Sequence, residues 1–188
     1  MSFIIAGIII VVIIWIIFFY NRIIKHSNLI EEAWSDIDIQ LKRRHDLVPN
    51  LVTTVQGYAM HEQETLKKVA ELRNILNNTE KQKIDLHMES ELSRGLKSVF
   101  ALSEQYPELK ADKNFLYLQK NLIEIEDAIQ YSRRYYNGTV RDYSIVLESF
   151  PNNIINILFK FSKKEYFTIE YSTIRNNPSV DFDRNTKK

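Results

Sequence analysis

An uninterrupted apolar run near the start of this 188-residue chain constrains its fold more than any other feature. The run covers residues 3–19 (FIIAGIIIVVIIWIIFF), and fourteen of its seventeen residues are Ile, Val or Phe. At the rise of an α-helix it would span ~26 Å, close to the ~30 Å hydrocarbon core of a bilayer. A helix that is apolar all round has no polar face for water, so the run favours a membrane span over a soluble core helix.

A cleaved signal peptide is the competing interpretation of this run. Signal peptides carry basic residues before the apolar stretch and small residues at the cleavage site. Here no Lys or Arg precedes the run, and the residues that end it are large. We therefore expect an uncleaved anchor over residues 1–20 that contacts membrane lipid. Because Arg22 and Lys25 follow it, the positive-inside rule predicts a single-pass cell-membrane protein with its N-terminus outside and residues 21–188 in the cytoplasm.

Helical periodicity begins after a juxtamembrane linker over residues 21–28. Between Leu29 and Leu76, apolar residues recur at three- and four-residue steps, which predicts one long helix. Pro49 lacks the hydrogen bond to His45, so we expect a kink or short break near residues 46–49. The anchor can also continue into this helix, which would hold the domain away from the bilayer. Polar residues 77–83 close a hairpin before a second helix over residues 84–105.

The third predicted helix has the most regular pattern in the chain. Asp112 or Asn114 can cap its start, and Pro151 stops it. Two series of residues spaced by seven predict coiled-coil-like packing: Phe115, Leu122, Ile129, Tyr136, Tyr143 and Phe150, and Leu118, Ile125, Ser132, Thr139 and Val146. A short last helix follows over residues 153–161. The predicted fold class is all-α: an N-terminal transmembrane helix, then an antiparallel bundle of three long helices and a short C-terminal helix over residues 29–170, and a loose tail over 171–188.

Composition argues against several functions. With 25 basic and 24 acidic residues the net charge is +1, so no nucleic-acid partner is expected. The absence of cysteine excludes disulfides and thiolate metal sites, and the four scattered glycines form no phosphate-binding loop. None of the four histidines has the spacing of a di-iron or zinc motif, and no nucleophile elbow is present. We therefore expect a non-catalytic protein without metal or cofactor.

Three polar clusters interrupt the apolar stripes and supply the candidate contact residues. Sequence alone leaves open whether they join helices or bind a partner. Arg44 occupies a position in the apolar seam, so a buried salt bridge is one alternative for it. Gly138 costs about 1 kcal/mol in a helix, which suggests close packing at that point. The candidates are Arg43, Arg44, His45 and Asp46; His61 and Glu62; and Arg133, Arg134, Asn137 and Arg141.

Residues 152–166 (NNIINILFKFSKKEY) form a basic amphipathic patch. Its apolar residues can cap the open end of the bundle. Alternatively, the patch can lie in the membrane interface, where basic amphipathic helices bind.

Taken together, the clusters resemble the LemA family over nearly the whole chain, anchor included. The residues that carry the resemblance are EAWSDID (32–38), LKRRHDLVPNLV (41–52), GYAMHE (57–62), YPELKA (106–111) with Asn114 and Phe115, Glu126 with Asp127, RRYYNGTVRDY (133–143) and FPNNII (150–155). Ser144 and Gly138 depart from the family pattern. The resemblance implies one N-terminal membrane helix and a cytoplasmic all-helical domain, and some relatives are tied to the organisation of intracellular membrane compartments. It implies no reaction.

The leading hypothesis is a membrane-anchored scaffold or adaptor that presents its helical domain to an unknown protein partner at the inner membrane face. The candidate contacts for this partner are Arg43, His45, Arg134 and Arg141. The alternative is a membrane-organising protein that acts by homo-oligomerisation or by lipid contact through residues 152–166.

Overall fold

A computed structural model describes residues 1–58, 63–79 and 86–168, and every regular element in these ranges is an α-helix. The all-α prediction is therefore confirmed, with an apolar helix at the amino end. The helices are α1 (Ser2–Tyr58), α2 (Gln63–Thr79), α3 (Leu86–Ser103), α4 (Pro107–Ala111), α5 (Lys113–Glu148) and α6 (Asn152–Phe159). The tail predicted over residues 171–188 lies outside the described ranges.

Helix α1 is 57 residues long and includes Pro49, so of the kink or short break expected near residues 46–49 the break does not occur. Val48, Leu51 and Val52 surround the proline and are buried. The free energy gained by burying these side chains offsets the loss of the helix hydrogen bond that proline cannot donate. Residues 21–28, expected as a linker, are also part of α1.

The single helix predicted from residue 29 to residue 76 is divided between α1 and α2. Leu51 and Leu72 would lie about 32 Å apart along one straight helix. Instead, both belong to one core cluster in which α2 packs against α1. Near the end of α1 the sequence has low helix propensity, because Gly57 precedes the last residue of the helix and glycine disfavours helix by about 1 kcal/mol. The stripe keeps its spacing across the division because both helices face the same core.

More contacts between distant parts of the chain join α1 to α5 than join any other pair of helices. The ring of Trp34 lies 5.4 Å from that of Tyr136, and Arg44 Nη1 lies 2.9 Å from a carboxylate oxygen of Glu126. From Trp34 to Arg44 the chain of α1 advances by ten residues, while the residues it contacts on α5 move back by ten, from Tyr136 to Glu126. Further along, Tyr58 donates a 2.8 Å hydrogen bond to Asp112, just before α5 begins. This constant register fixes which residues of the two helices lie at the same level.

The heptad pattern of α5 correctly predicts its buried face. All positions of both series are buried from Phe115 to Val146, but Phe150, the next in its series, is 80% exposed. Asp112 caps the helix, because its side chain accepts a 2.8 Å hydrogen bond from the backbone N–H of Phe115. The short helix α4 was not predicted, although Pro107 at its first position is a recognised start signal.

Gly138 does not pack closely against a neighbour, contrary to expectation. A Cβ added at Gly138 would meet nothing within 4 Å, whereas one added at Gly95 would lie 2.8 Å from Leu72 Cδ1. The close approach in this fold is therefore between α3 and α2. At Gly138 there is room for the side chain of a better helix former.

We expect Gly138→Ala to raise the free energy of unfolding by about 1 kcal/mol, because alanine is the better helix former and has room. Urea unfolding of the full chain in detergent, followed by circular dichroism, measures this change. Gly95→Ala is the matched control, since the same gain is opposed there by the contact with Leu72. A loss of stability in Gly138→Ala as large as that in Gly95→Ala would contradict the prediction.

Candidate functional site

A buried cation joins three helices in the middle of the domain. Arg44 of α1 is fully buried, and its guanidinium forms salt bridges with Glu89 of α3 and Glu126 of α5. It also donates a 2.7 Å hydrogen bond to Ser93 Oγ and a 3.4 Å bond to the backbone carbonyl of Glu89. Ser93 Oγ lies 3.1 Å from both carboxylate oxygens of Glu126, to which it donates. We call Arg44, His45, Glu89, Ser93 and Glu126 the Arg44 network.

His45 completes the network on the side of Glu89. Its Nε2 lies 3.0 Å from Glu89 Oε1, and because a carboxylate only accepts, Nε2 carries the hydrogen. Burial by itself would raise the pKa of Glu89, but the hydrogen bond from His45 and the charge of Arg44 lower it below its ordinary value of 4.5. Glu89 is therefore held as a carboxylate, which balances the buried charge of Arg44.

The network was only half visible in the sequence. Arg44 stood out because it occupies an apolar seam, and the structure places it in a buried salt bridge. Glu89 was missed, although it precedes Leu92 and Leu96 by three and seven residues and so shares their buried face. An acidic residue on the apolar stripe of one helix and a basic residue on that of another together predict a buried ion pair.

The lowered pKa of Glu89 predicts a loss of stability in acid. A carboxyl whose pKa is lower in the folded state stabilises the fold above its unfolded pKa, and this contribution disappears as the pH falls through the folded value. Starting from the unfolded value of 4.5, we expect the free energy of unfolding to decrease at lower pH. In Glu89→Gln this decrease should be shallower when unfolding is measured at a series of acidic pH values. Equal acid dependence in the two proteins would contradict the assignment.

Two other candidates of this region, Arg43 and Asp46, lie on the surface of the described structure. Arg43 is exposed and donates a 3.0 Å hydrogen bond to Gln40 on the same helix. Asp46 is exposed as well. His61 and Glu62 lie outside the described residues. Among the described candidates of this region, Arg43 and Asp46 are therefore the exposed ones.

The candidates on α5 divide between the interior and the surface. Arg133 is buried, with its guanidinium 4.8 Å from the ring centre of Phe167, while Arg134 is exposed. Asn137 accepts a 2.8 Å hydrogen bond from the Phe167 backbone N–H and donates a 3.1 Å bond to its carbonyl. Arg141 is exposed and pairs with the adjacent Asp142 at 3.0 Å. Asn137 therefore fastens α5 to a non-helical segment rather than to another helix.

That segment comprises residues 160–168, which we call the α5-bound segment. Two tyrosines of α5 hold it further: Tyr136 donates a 3.0 Å hydrogen bond to the Glu165 carbonyl, and Tyr143 donates a 3.1 Å bond to the Ser162 carbonyl. Phe167 is buried, and its ring lies 6.1 Å from that of Trp34. The sequence analysis placed residues 160–166 in a basic amphipathic patch but did not predict their binding to α5, because backbone carbonyls as partners leave no signal in the sequence.

The amino-terminal part of α1 is apolar and exposed, which distinguishes it from a core helix. Almost none of its most apolar stretch is buried within the protein. Ile10 and Ile14 are 56% and 61% exposed. Burial increases towards the domain: Trp15 and Ile16 are half-buried against the domain core, and Phe19 and Ile23 are 2% and 0% exposed within it. One continuous helix therefore passes from an apolar segment of membrane-spanning length directly into the folded domain.

The polar groups of the Arg44 network bond to one another. Within residues 1–58, 63–79 and 86–168, no three His, Asp or Glu side chains lie close enough to hold a metal ion. The charges of the Arg44 network are engaged in holding α1, α3 and α5 together. Its chemical capacity is therefore structural: it fixes the mutual position of three helices.

These features define a class, that of membrane-associated helical proteins with one apolar helix long enough to span a bilayer. Residues 33–182 match the model of the LemA family. The chain therefore belongs to the LemA family, which confirms the resemblance found in its sequence.

Relatives agree with this assignment. Protein LemA of Metamycoplasma hominis is 28% identical over 167 residues, which are 83% of this chain and 75% of that protein. Magnetosome protein MamQ 2 of Paramagnetospirillum magneticum is 23% identical over 174 residues, and magnetosome protein MamQ of Magnetospirillum gryphiswaldense is 20% identical over the same length. Each match covers 79% of this chain and 64% of the magnetosome protein.

Proposed function

We propose that this protein is a single-pass, membrane-anchored scaffold that presents a helical bundle to protein partners on the cytoplasmic side, without catalysing a reaction. The observation that carries the proposal is the continuity of α1. Ile10 lies in the exposed apolar part of the helix, and Ile23, thirteen residues later, is fully buried in the domain. The domain is therefore attached to the span without a flexible connection, as a scaffold at a membrane requires.

The Arg44 network supports the same role because it makes the domain rigid. Buried ion pairs that join several helices set the register between them. In this proposal α1 and α5 form an antiparallel pair, with α2 and α3 packed at the end distant from the span. The contacts of Trp34 with Tyr136 and of Arg44 with Glu126 have the order that such a pair requires.

The proposed partner surface consists of exposed cations. Arg43, Arg134 and Arg141 are all exposed, although Arg141 is already paired with Asp142. We do not include His45 in the proposed partner surface, because it is half-buried and hydrogen-bonded to Glu89. Exposed arginines recognise carboxylate groups through bidentate hydrogen bonds, so the partner would carry an acidic patch.

Single-cysteine labelling tests the orientation of the protein in the membrane. Because the sequence contains no cysteine, the label reacts only with the introduced residue. Ser2→Cys and Ser98→Cys would each be treated in intact cells with a maleimide that does not cross membranes. We expect labelling of Ser2→Cys in intact cells and of Ser98→Cys only after permeabilisation, because Ser98 lies on the exposed side of α3. Labelling of Ser98→Cys in intact cells would overturn the cytoplasmic presentation.

Crosslinking in intact membranes followed by affinity purification tests the partner surface. Arg43→Ala/Arg134→Ala is compared with Lys97→Ala/Lys113→Ala, which removes two other exposed cations. The scaffold proposal expects one stoichiometric partner that is lost in the arginine variant and retained in the lysine variant. Recovery of the protein alone, unchanged by either variant, would overturn this surface and favour self-assembly, the alternative that similarity to magnetosome proteins also leaves open.

A further inference from the structure

The end of the domain nearest the span carries apolar residues that the fold does not bury. Helix α6 places Ile155 inward at 4% exposure, but Ile154, Ile157 and Leu158 are 56%, 77% and 72% exposed. These three residues are spaced by three and four, so they share one side of the helix. We call them the apolar α6 face. Capping the bundle therefore accounts for Ile155 and leaves the apolar α6 face uncovered.

The register of α1 and α5 gives the level of this face. Fourteen residues before Trp34, α1 reaches Tyr20. Fourteen residues after Tyr136, and two residues past the end of α5, the chain reaches Phe150. Tyr20 directly follows the apolar run, so its level is the boundary between hydrocarbon and water. Phe150, 80% exposed, and the start of α6 two residues later therefore lie at that boundary.

Ring contacts place the other end of α6 at the same level. The ring of Tyr20 lies 5.6 Å from that of Phe159 and 5.9 Å from that of Phe161. Both ends of α6 thus lie beside the point where α1 leaves the apolar run. A span that emerges there requires lipid next to the apolar α6 face.

The charges around α6 suit a lipid surface. Lys160 follows the helix and is exposed, and Lys163 is exposed while forming a 2.5 Å ion pair with Glu148. Lys164 follows immediately, and Arg22 and Lys25 are exposed on the neighbouring turns of α1. Basic residues around an apolar helix face are typical of segments that lie in the interface of membranes with anionic lipids.

From these observations we infer that α6 is a second membrane contact: Ile154, Ile157 and Leu158 insert into the headgroup region of the same bilayer that α1 crosses, and the nearby lysines face anionic headgroups. The domain therefore rests against the membrane instead of standing away from it. The inference depends on the proposed insertion of α1, so its test must report on both segments separately.

Fluorescent labels on single cysteines in the full chain, reconstituted into vesicles of phosphatidylcholine and phosphatidylglycerol, supply that test. Ile157→Cys probes the apolar α6 face, and Ile10→Cys probes the span. Ile39→Cys is the matched control, because Ile39 is an exposed isoleucine of α1 nineteen residues beyond Tyr20, about 28 Å along the helix. Each label is exposed in turn to iodide in the water and to lipids carrying nitroxide near the headgroup or along the acyl chain.

We expect several-fold weaker iodide quenching at Ile157→Cys than at Ile39→Cys, together with strong quenching by headgroup-level nitroxide lipids. Equal iodide quenching at the two sites would overturn the inference. Protection from iodide without quenching by nitroxide lipids would also overturn it, because another protein copy would then cover the face. If Ile10→Cys is not quenched by acyl-chain nitroxide, the insertion of α1 itself fails, and this outcome is distinct from a failure at Ile157→Cys alone.

Discussion

Replacing Arg44 by alanine is expected to destabilise the domain by about 3–5 kcal/mol, the typical cost of removing one partner of a buried ion pair. The reason lies in what remains. Glu89 is 1% exposed and would keep a carboxylate in the interior without its guanidinium partner. Small domains have about 5–15 kcal/mol of stability in total, so this single change would remove a large fraction of it. Urea unfolding of the full chain in detergent, followed by circular dichroism, measures the loss.

Two variants distinguish the effect of breaking the buried ion pair from the effect of removing an arginine side chain. Arg43→Ala removes the exposed neighbour of Arg44 and should change stability by less than about 0.5 kcal/mol. Arg44→Leu/Glu89→Leu removes the fully buried pair and leaves Glu126, whose side chain is 25% exposed to water. It should recover most of the loss, because a buried pair is often replaceable by apolar residues. If Arg44→Ala costs no more than Arg43→Ala, the network does not hold the three helices together.

The second large effect concerns the span. We expect Ile9→Arg/Ile13→Arg to move most of the protein from the membrane fraction to the alkaline-extractable fraction. Each substitution opposes insertion by about 3–4 kcal/mol, and the fourteen Ile, Val and Phe residues of the run together favour it by only about 4–8 kcal/mol. Ile9 and Ile13 are 53% and 49% exposed, so the changes disturb no core contact of the domain.

Ile9→Leu/Ile13→Leu is the control, because leucine favours insertion as isoleucine does. It should remain entirely in the carbonate-resistant fraction, as measured by quantitative immunoblotting of both fractions. Circular dichroism of the extracted arginine variant should still report a folded helical domain. Full retention of the arginine variant in the membrane would show that residues 3–19 are not what holds the protein there.

Periodic features of this chain were predictable from sequence, and features that depend on single contacts were not. The heptads of α5 and the cap at Asp112 follow from local rules, so the helix was found within two residues at each end. The division between α1 and α2 was missed because both helices face one core, and the stripe therefore continues across it. A seven-residue repeat records which residues are buried, but not whether the chain reverses between them.

The same distinction applies to the candidate site. Arg44 was recognisable because a charge in an apolar seam is unusual, yet its partner Glu89 is 45 residues away and no local rule connects them. Asn137 was found as a polar residue, but its partner is the backbone of Phe167, which any residue type would provide. When a side chain binds the backbone, the sequence can identify the side chain but not its partner, because every residue type has the same backbone groups.

The unbroken helix α1 also makes the protein a lever. From Tyr20 to Tyr58 it extends about 57 Å beyond the apolar run. Membrane spans tilt by about 20° on average, more when the bilayer is thin, and a rod of that length converts such a tilt into a lateral displacement of roughly 19 Å at its far end. In the proposed membrane arrangement, bilayer thickness and the position of the distal helices would therefore be linked mechanically, and α6 would lie at the pivot.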